Sequence, residues 1–300
     1  MNRGAPSLRI VFFGSLTSFS LLAFERLAES HQVVAAVLAR RTRAGLRRSL
    51  RRFVTLIKPS PLERRAREFG LPLLPVSDAL ESATLERLRA LRPDLLCTAI
   101  FPFKLPREAI DIAALGAINV HPSLLPRHRG PLPLFWVYYH DDRVTGVTVH
   151  HASDRFDAGD IILQESFPLP RAYPMARLDE DVAHRGADLL CSAVRQLTLG
   201  SAERRVQDER AATYAPRIGR GVPMVRFDEW EVERVRHFLE ALCPLFREPL
   251  VDDDGRLVKY ARVTGYEERA TWRTPGTVEK SSGGWNLHCR GGVVLLAARG

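Results

Sequence analysis

Cysteine is scarce in this 300-residue chain: Cys97, Cys191, Cys243 and Cys289 stand far apart and form no Cys-x-x-Cys pair. That spacing argues against a disulfide framework or a zinc site and makes a reducing, cytoplasmic setting the default. No stretch approaches the about 18 consecutive apolar residues of a membrane span. The opening Met1-Asn2-Arg3-Gly4-Ala5-Pro6-Ser7 lacks the apolar core and cleavage site of a secretory signal. The Gly-x-Gly-x-x-Gly fingerprint of dinucleotide binding is missing, so no nicotinamide cofactor is expected. Acidic residues are outnumbered: 44 Lys+Arg against 35 Asp+Glu leave a formal charge of +9, a balance that suits an anionic partner.

What is present fits a packed globular protein of two domains. The length exceeds one typical domain, and 45% hydrophobic residues support a globular core. Leu8-Arg9-Ile10-Val11-Phe12-Phe13 reads as a buried strand. It runs into Gly14-Ser15 and then a helix capped by Thr17 or Ser18, which is half of a mononucleotide-type α/β fold. A second strand is expected over 32–39. Residues 40–58 are the most basic stretch, with no acid among them, and Arg47, Arg51 and Lys58, with Arg48 and Arg52, are expected along one side of a short helix. This stretch is either a solvated loop or an electrostatic guide for phosphates on an acceptor. Pro61 opens a helix stopped by Gly70, and Ser77-Asp78 caps another running to Leu91. A buried strand over 93–100 leads into the apolar loop Phe101-Pro102-Phe103-Lys104-Leu105-Pro106.

The stretch 118–165 carries the chemistry. Residues two apart on a strand project to the same side, so Asn119 and His121 point together if 118–121 ends a strand. Pro122 stops that strand, and the carboxyl end of a strand is where open α/β sheets place ligands. The strand over 145–151 then leads to a turn-rich loop with Asp157 in Phe156-Asp157-Ala158-Gly159-Asp160. His150 and His151 are neighbours on opposite strand faces, poor joint metal ligands, and read as structural. The return strand covers 161–167, and a helix over 176–199 closes the first domain at Gly200.

Asn119-Val120-His121-Pro122-Ser123-Leu124-Leu125-Pro126, with Thr145-Gly146-Val147-Thr148 and Asp157-Ala158-Gly159-Asp160-Ile161 behind it, resembles the 10-formyltetrahydrofolate-dependent formyltransferases. The resemblance is sharpest over about 93–165. It implies an α/β fold, a Rossmann-like formyltransferase domain with an open, mostly parallel sheet, followed by a small C-terminal OB-like β-barrel. The expected boundaries are 1–200 for the catalytic domain, 201–212 for a linker and 213–300 for the barrel. The barrel segment is expected to hold a helix over 229–242 and short strands over 257–264, 277–280, 285–289 and 293–297.

The same resemblance implies the roles. Asn119, His121 and Asp157 fall on the family's catalytic residues. Phe101, Phe103, Leu105, Ser123, Leu124, Asp154 and Gly159 are implied in binding 10-formyltetrahydrofolate, which serves as co-substrate with no metal. Gly14, Ser15, Arg47 and Arg51 are implied in binding the acceptor. The chemistry expected is attack of a primary amine on the formyl carbon, giving a tetrahedral oxyanion. Asn119 and protonated His121 are suited to donate to that oxygen, and His121 to move protons. Asp157 would sustain imidazolium at His121 or relay the amine proton through a water.

Three functions stay open. Methionyl-tRNA leads as acceptor, because the two-domain layout and the basic stretch 40–58 resemble the tRNA-acting members, whose inserted loop contacts the acceptor stem. A small amine, such as an amino sugar nucleotide or a natural-product intermediate, is supported by Gly130-Pro131-Leu132-Pro133-Leu134-Phe135-Trp136. It is supported also by Cys243-Pro244-Leu245-Phe246, where the tRNA enzymes carry a different aromatic signature. A silent RNA-binding relative is the third, and the complete Asn–His–Asp set argues against it.

Overall fold

The computed structural model describes residues 7–39, 59–76, 80–219 and 221–298. Arg47, Arg51, the rest of the basic stretch 40–58, and Ser77-Asp78 lie outside the described residues. The chain divides into two compact units, each discontinuous in sequence: 1–131 with 146–166 and 180–214, and 132–145 with 167–179 and 215–300.

In the first unit, five strands alternate with helices as the apolar runs and turn residues require. They are β1 (Arg9–Gly14), β2 (Gln32–Ala39), β3 (Leu73–Val76), β4 (Leu95–Ala99) and β5 (Ala117–His121), joined by α1 (Ser18–Ser30), α2 (Pro61–Glu68), α3 (Ser82–Leu91) and α4 (Arg107–Ile110). Thr17 caps α1 by accepting the Ser20 amide, and Ser60 with Glu63 forms a reciprocal capping box on α2. The β1 run is apolar on both faces because it is covered on both: Ile10, Val11, Phe12 and Phe13 are fully buried. Each such side chain contributes about 1.5–3 kcal/mol.

These strands lie in the order β3-β2-β1-β4-β5, followed by β6 (Val144–His151) and β7 (Ile161–Pro168). The first five are parallel; β6 runs antiparallel to β5. The order reverses direction between β1 and β4, the switch point at which such sheets bind ligands beyond their carboxyl ends. The expected open, mostly parallel sheet is therefore present. Gly146 lets β6 and β7 approach closely, since a Cβ there would fall 2.0 Å from the Glu165 carbonyl oxygen. Helix α6 (Met175–Thr198) follows.

The second unit holds α5 (Pro133–Tyr139), α7 (Val232–Leu242) and an antiparallel sheet of β8 (Tyr260–Glu268), β9 (Val278–Ser281), β10 (Gly284–Cys289) and β11 (Gly292–Ala298), in the order β8-β11-β10-β9. The four expected C-terminal strands are these. Its core includes an aromatic cluster in which Phe135 meets Phe238 and Phe246 edge to face, and Tyr139 meets Trp230. Trp136 donates its indole N–H to the Pro216 carbonyl. The aromatics of the 130–136 run are thus engaged in packing and in holding the backbone.

Candidate active site

The parallel register places Thr98 of β4 against Asn119 of β5, and the antiparallel register places His150 of β6 against Asn119 and Thr148 against His121. Asn119, His121, Thr148 and His150 consequently share one face of the sheet. Asp157 reaches the same place from the loop after β6, with its backbone in the left-handed region at φ 53°.

The hydrogen bonds fix the orientation of each group. Thr98 Oγ1 donates to Asn119 Oδ1 at 2.6 Å. The amide nitrogen of Asn119 lies 3.0 Å from His150 Nε2 and donates to Asp157 Oδ1 at 3.4 Å. Turning the amide over would set its oxygen against the Asp157 carboxylate. His150 Nδ1 is 2.8 Å from the His151 carbonyl, which can only accept, so in the neutral ring Nδ1 carries the proton and Nε2 accepts from Asn119. His121 obeys the same logic in reverse. Its Nε2 is 2.9 Å from the His128 carbonyl, and its Nδ1 faces Asp157 Oδ1 at 3.6 Å.

Asp157 is an anion by design of its surroundings. Burial alone would raise its pKa. The electrostatic pull of the neighbouring His121 ring, with the nearby His150 ring and the Gly130 amide donating at 2.8 Å, outweighs burial and holds the carboxyl well below the usual carboxylate range. For His121 burial dominates the opposing pull of Asp157 and lowers its pKa.

A cleft opens onto this cluster. Phe101, Phe103 and Leu105 wall it, with Asn119, His150 and Asp157 facing into it and Arg155 and Phe156 among its other lining residues. Phe101 also packs edge to face on Phe13 of β1, so the wall is anchored in the core. The other residues expected at the folate site are placed differently. Ser123 is wholly buried and donates to the Arg127 carbonyl. Leu124 lies beside Gly146, and Asp154 is exposed. Gly159 is buried where a Cβ would come within 1.9 Å of the His151 carbonyl oxygen. Gly14 ends β1, and the Ser15 amide donates to Ser20 Oγ at the start of α1; neither residue lines the cleft.

Two residues were not singled out by sequence reasoning: Thr98, embedded in an apolar strand, and His150, read as structural. The reading that His150 and His151 point apart holds, since the His151 side chain takes no part in these contacts, but His150 belongs to the polar cluster. Among the described residues no group of His, Cys, Asp and Glu has the geometry to hold a metal ion. No helix among them is long and apolar enough to cross a membrane.

Comparison with known proteins places this arrangement among relatives. The family profile described as "Formyl transferase" matches residues 8–194. A methionyl-tRNA formyltransferase of Syntrophus aciditrophicus (strain SB) is 32% identical over 290 residues, 96% of this chain and 90% of that protein. Among solved structures, an N-formyltransferase from Helicobacter canadensis in complex with folinic acid and dTDP-3-aminofucose superposes with a TM-score of 0.70 at 15% identity, covering 97% of this chain and 99% of that one. HypX from Aquifex aeolicus in complex with tetrahydrofolic acid gives a TM-score of 0.62 at 20% identity; this chain covers 44% of its length.

Proposed function

The chain belongs to the formyl transferase family, and from that premise we propose that it moves the formyl group of 10-formyltetrahydrofolate to a primary amine, with methionyl-tRNA as the favoured acceptor. The observation that carries this reading is the meeting of Asn119, His121, Asp157 and His150 on one sheet face, beside a cleft walled by Phe101, Phe103 and Leu105. The composition of the cleft, apolar walls with a few convergent polar groups, suits a pterin ring.

In the proposed reaction the amine nitrogen bonds to the formyl carbon, the carbonyl oxygen becomes an oxyanion, and the carbon–N10 bond then breaks. The amine gives up a proton and N10 gains one. Asn119 is the donor held at the cleft; its longer bond, to Asp157 at 3.4 Å, is the one to be exchanged for the oxyanion. Asp157, an anion throughout, steadies positive charge on the attacking nitrogen and on His121 as protons move. His121 has Nε2 committed to the His128 carbonyl, so Nδ1, which faces the Asp157 carboxylate, is the nitrogen left to take up and return a proton. That departs from a direct donation by His121 to the oxyanion; the imidazole that lines the cleft is His150, beside Asn119.

The acceptor preference is supported by the extent of likeness to methionyl-tRNA formyltransferases, 96% of this chain for one of them. The 130–136 run, which had favoured a small amine, is engaged in core packing. Release of tetrahydrofolate measured with methionyl-tRNA, amino sugar nucleotides and free amines tests the whole reading. Turnover with methionyl-tRNA that falls steeply with salt supports the tRNA acceptor; salt-independent turnover of a sugar amine replaces it. No release with any amine refutes formyl transfer.

A further inference from the structure

Asp157 keeps its position against an unfavourable backbone. A non-glycine residue in the left-handed region must be held there by its surroundings. The holding groups come from two places distant in sequence. The Gly130 amide donates to the Asp157 carboxylate at 2.8 Å. Gln207 Nε2 donates to the Asp157 carbonyl at 2.9 Å and to the Gly159 carbonyl at 2.7 Å.

Arg129 joins these two supports. Its guanidinium donates through Nε and Nη2 to Gln207 Oε1 at 3.1 and 2.8 Å, and through Nη1 and Nη2 to the Glu209 carboxylate at 3.1 and 3.0 Å. Gln207 Oε1 is thereby saturated, which forces its amide hydrogens toward the 157–159 backbone. Arg129 is 8% exposed and Gln207 5% exposed, so the bonds between these two are shielded from water and screened little. The main chain is tied on both sides as well. Arg129 N donates to the Thr213 carbonyl, and Arg205 exchanges both backbone hydrogen bonds with Ile161.

We propose that Arg129 and Gln207 are positioning residues that set the Asp157 carboxylate for formyl transfer, which makes the 205–213 segment a working part of the catalytic unit and more than a connection. This inference rests on the reading of Asp157 given above. Neither residue touches the cleft; both act through Asp157. Placement errors of about 1 Å at a reacting group cost up to about 100-fold in rate, so a strap of this kind has a measurable consequence.

The test is Gln207→Leu, which keeps side-chain bulk and removes both donors. Turnover with the acceptor the panel identifies is expected to fall about 10-fold or more in kcat, with KM for 10-formyltetrahydrofolate within about twofold of wild type. In an Asp157→Ala background, under single turnover, the same substitution is expected to cost less than about twofold. An acceptor-free readout is the imidazole ¹H–¹⁵N spectrum, in which the His121 resonances of Gln207→Leu are expected to move toward those of Asp157→Ala. Should Gln207→Leu fail to fold, Glu209→Gln, altered at a half-exposed carboxylate, serves in its place with about a threefold fall in kcat expected. Wild-type kcat and unmoved His121 resonances in a folded variant overturn the inference, as does an equal loss with and without Asp157. Wild-type turnover of Asp157→Ala itself would instead overturn the reading of the site, and that is seen before Gln207 is altered.

Discussion

Asn119 and His150 stand directly opposite each other across the antiparallel pair of β5 and β6, with the amide nitrogen of one 3.0 Å from Nε2 of the other. The pairing commits the Asn119 amide to a single orientation, and Thr98 secures the other end of that amide. Substituting His150 should therefore disturb Asn119 without touching its backbone. His150→Ala is expected to lower kcat about 10-fold or more, with the loss read in a tetrahydrofolate-release assay. Wild-type turnover would reduce His150 to a packing role.

For the three groups expected from the sequence the effect should be larger. Asn119→Ala, His121→Ala and Asp157→Ala are each expected to reduce turnover by about 100-fold or more, the range for a lost transition-state donor or proton-transfer group. The same assay decides. Combined variants should lose less than the product of the single losses, because the groups share hydrogen bonds.

The wall of the cleft should act on binding alone. Phe103→Ala removes an aromatic face that lines the cleft and packs on Phe101 with ring centroids 5.5 Å apart. KM for 10-formyltetrahydrofolate is expected to rise about 10-fold with kcat little changed, the pattern of uniform binding loss. A fall in kcat with KM constant would place Phe103 nearer the reacting atoms than this geometry does.

Gly159 offers a test of backbone crowding. A methyl group there would collide with the His151 carbonyl oxygen, an immovable strand atom. Gly159→Ala is expected to cost about 1–3 kcal/mol of stability, the usual penalty of overpacking, read as a lower urea midpoint. Activity should fall with it, because Gln207 holds Asp157 and Gly159 together.

Acidification should weaken the second unit through His237. Burial, with Arg171 adding to it, lowers its pKa from 6.5 to about 4. The unfolded chain takes up a proton there near pH 6.5 that the folded chain refuses until about pH 4. Stability is therefore full above pH 6.5 and is lost as pH falls from 6.5 toward 4. His237→Gln, whose oxygen can still accept the Ala172 amide, should narrow the difference in Tm between pH 7.5 and pH 5. An unchanged difference by calorimetry would remove His237 from the acid response. His151, also lowered to about 4 with burial as its main cause, should leave part of the slope in place.

Much of the fold was written locally. The strand that ends at His121 before Pro122, the Pro61 helix start and the Gly-bounded hairpins all depend on a few adjacent residues, and they stand where the local pattern puts them. Asn119, His121 and Asp157 were visible because their spacing is carried by contiguous motifs. Thr98 and His150 were not, because what matters for them is the register of β5 against β4 and β6, which no single segment encodes. Arg129 and Gln207 were hidden for the same reason, being 78 residues apart with their partnership created only by folding. Ser123 shows the converse: it sits within the recognisable motif, yet its hydroxyl is spent on the Arg127 carbonyl.

The borders of the larger sheet carry one more implication. β3 is four residues long and includes Pro75, which has no N–H to offer a newcomer. On the far side, Ile161 at the start of β7 is already paired with Arg205. At these two points a foreign chain is discouraged from adding itself as a further strand, and at Ile161 the partner that stands in its way belongs to the same segment that steadies Asp157.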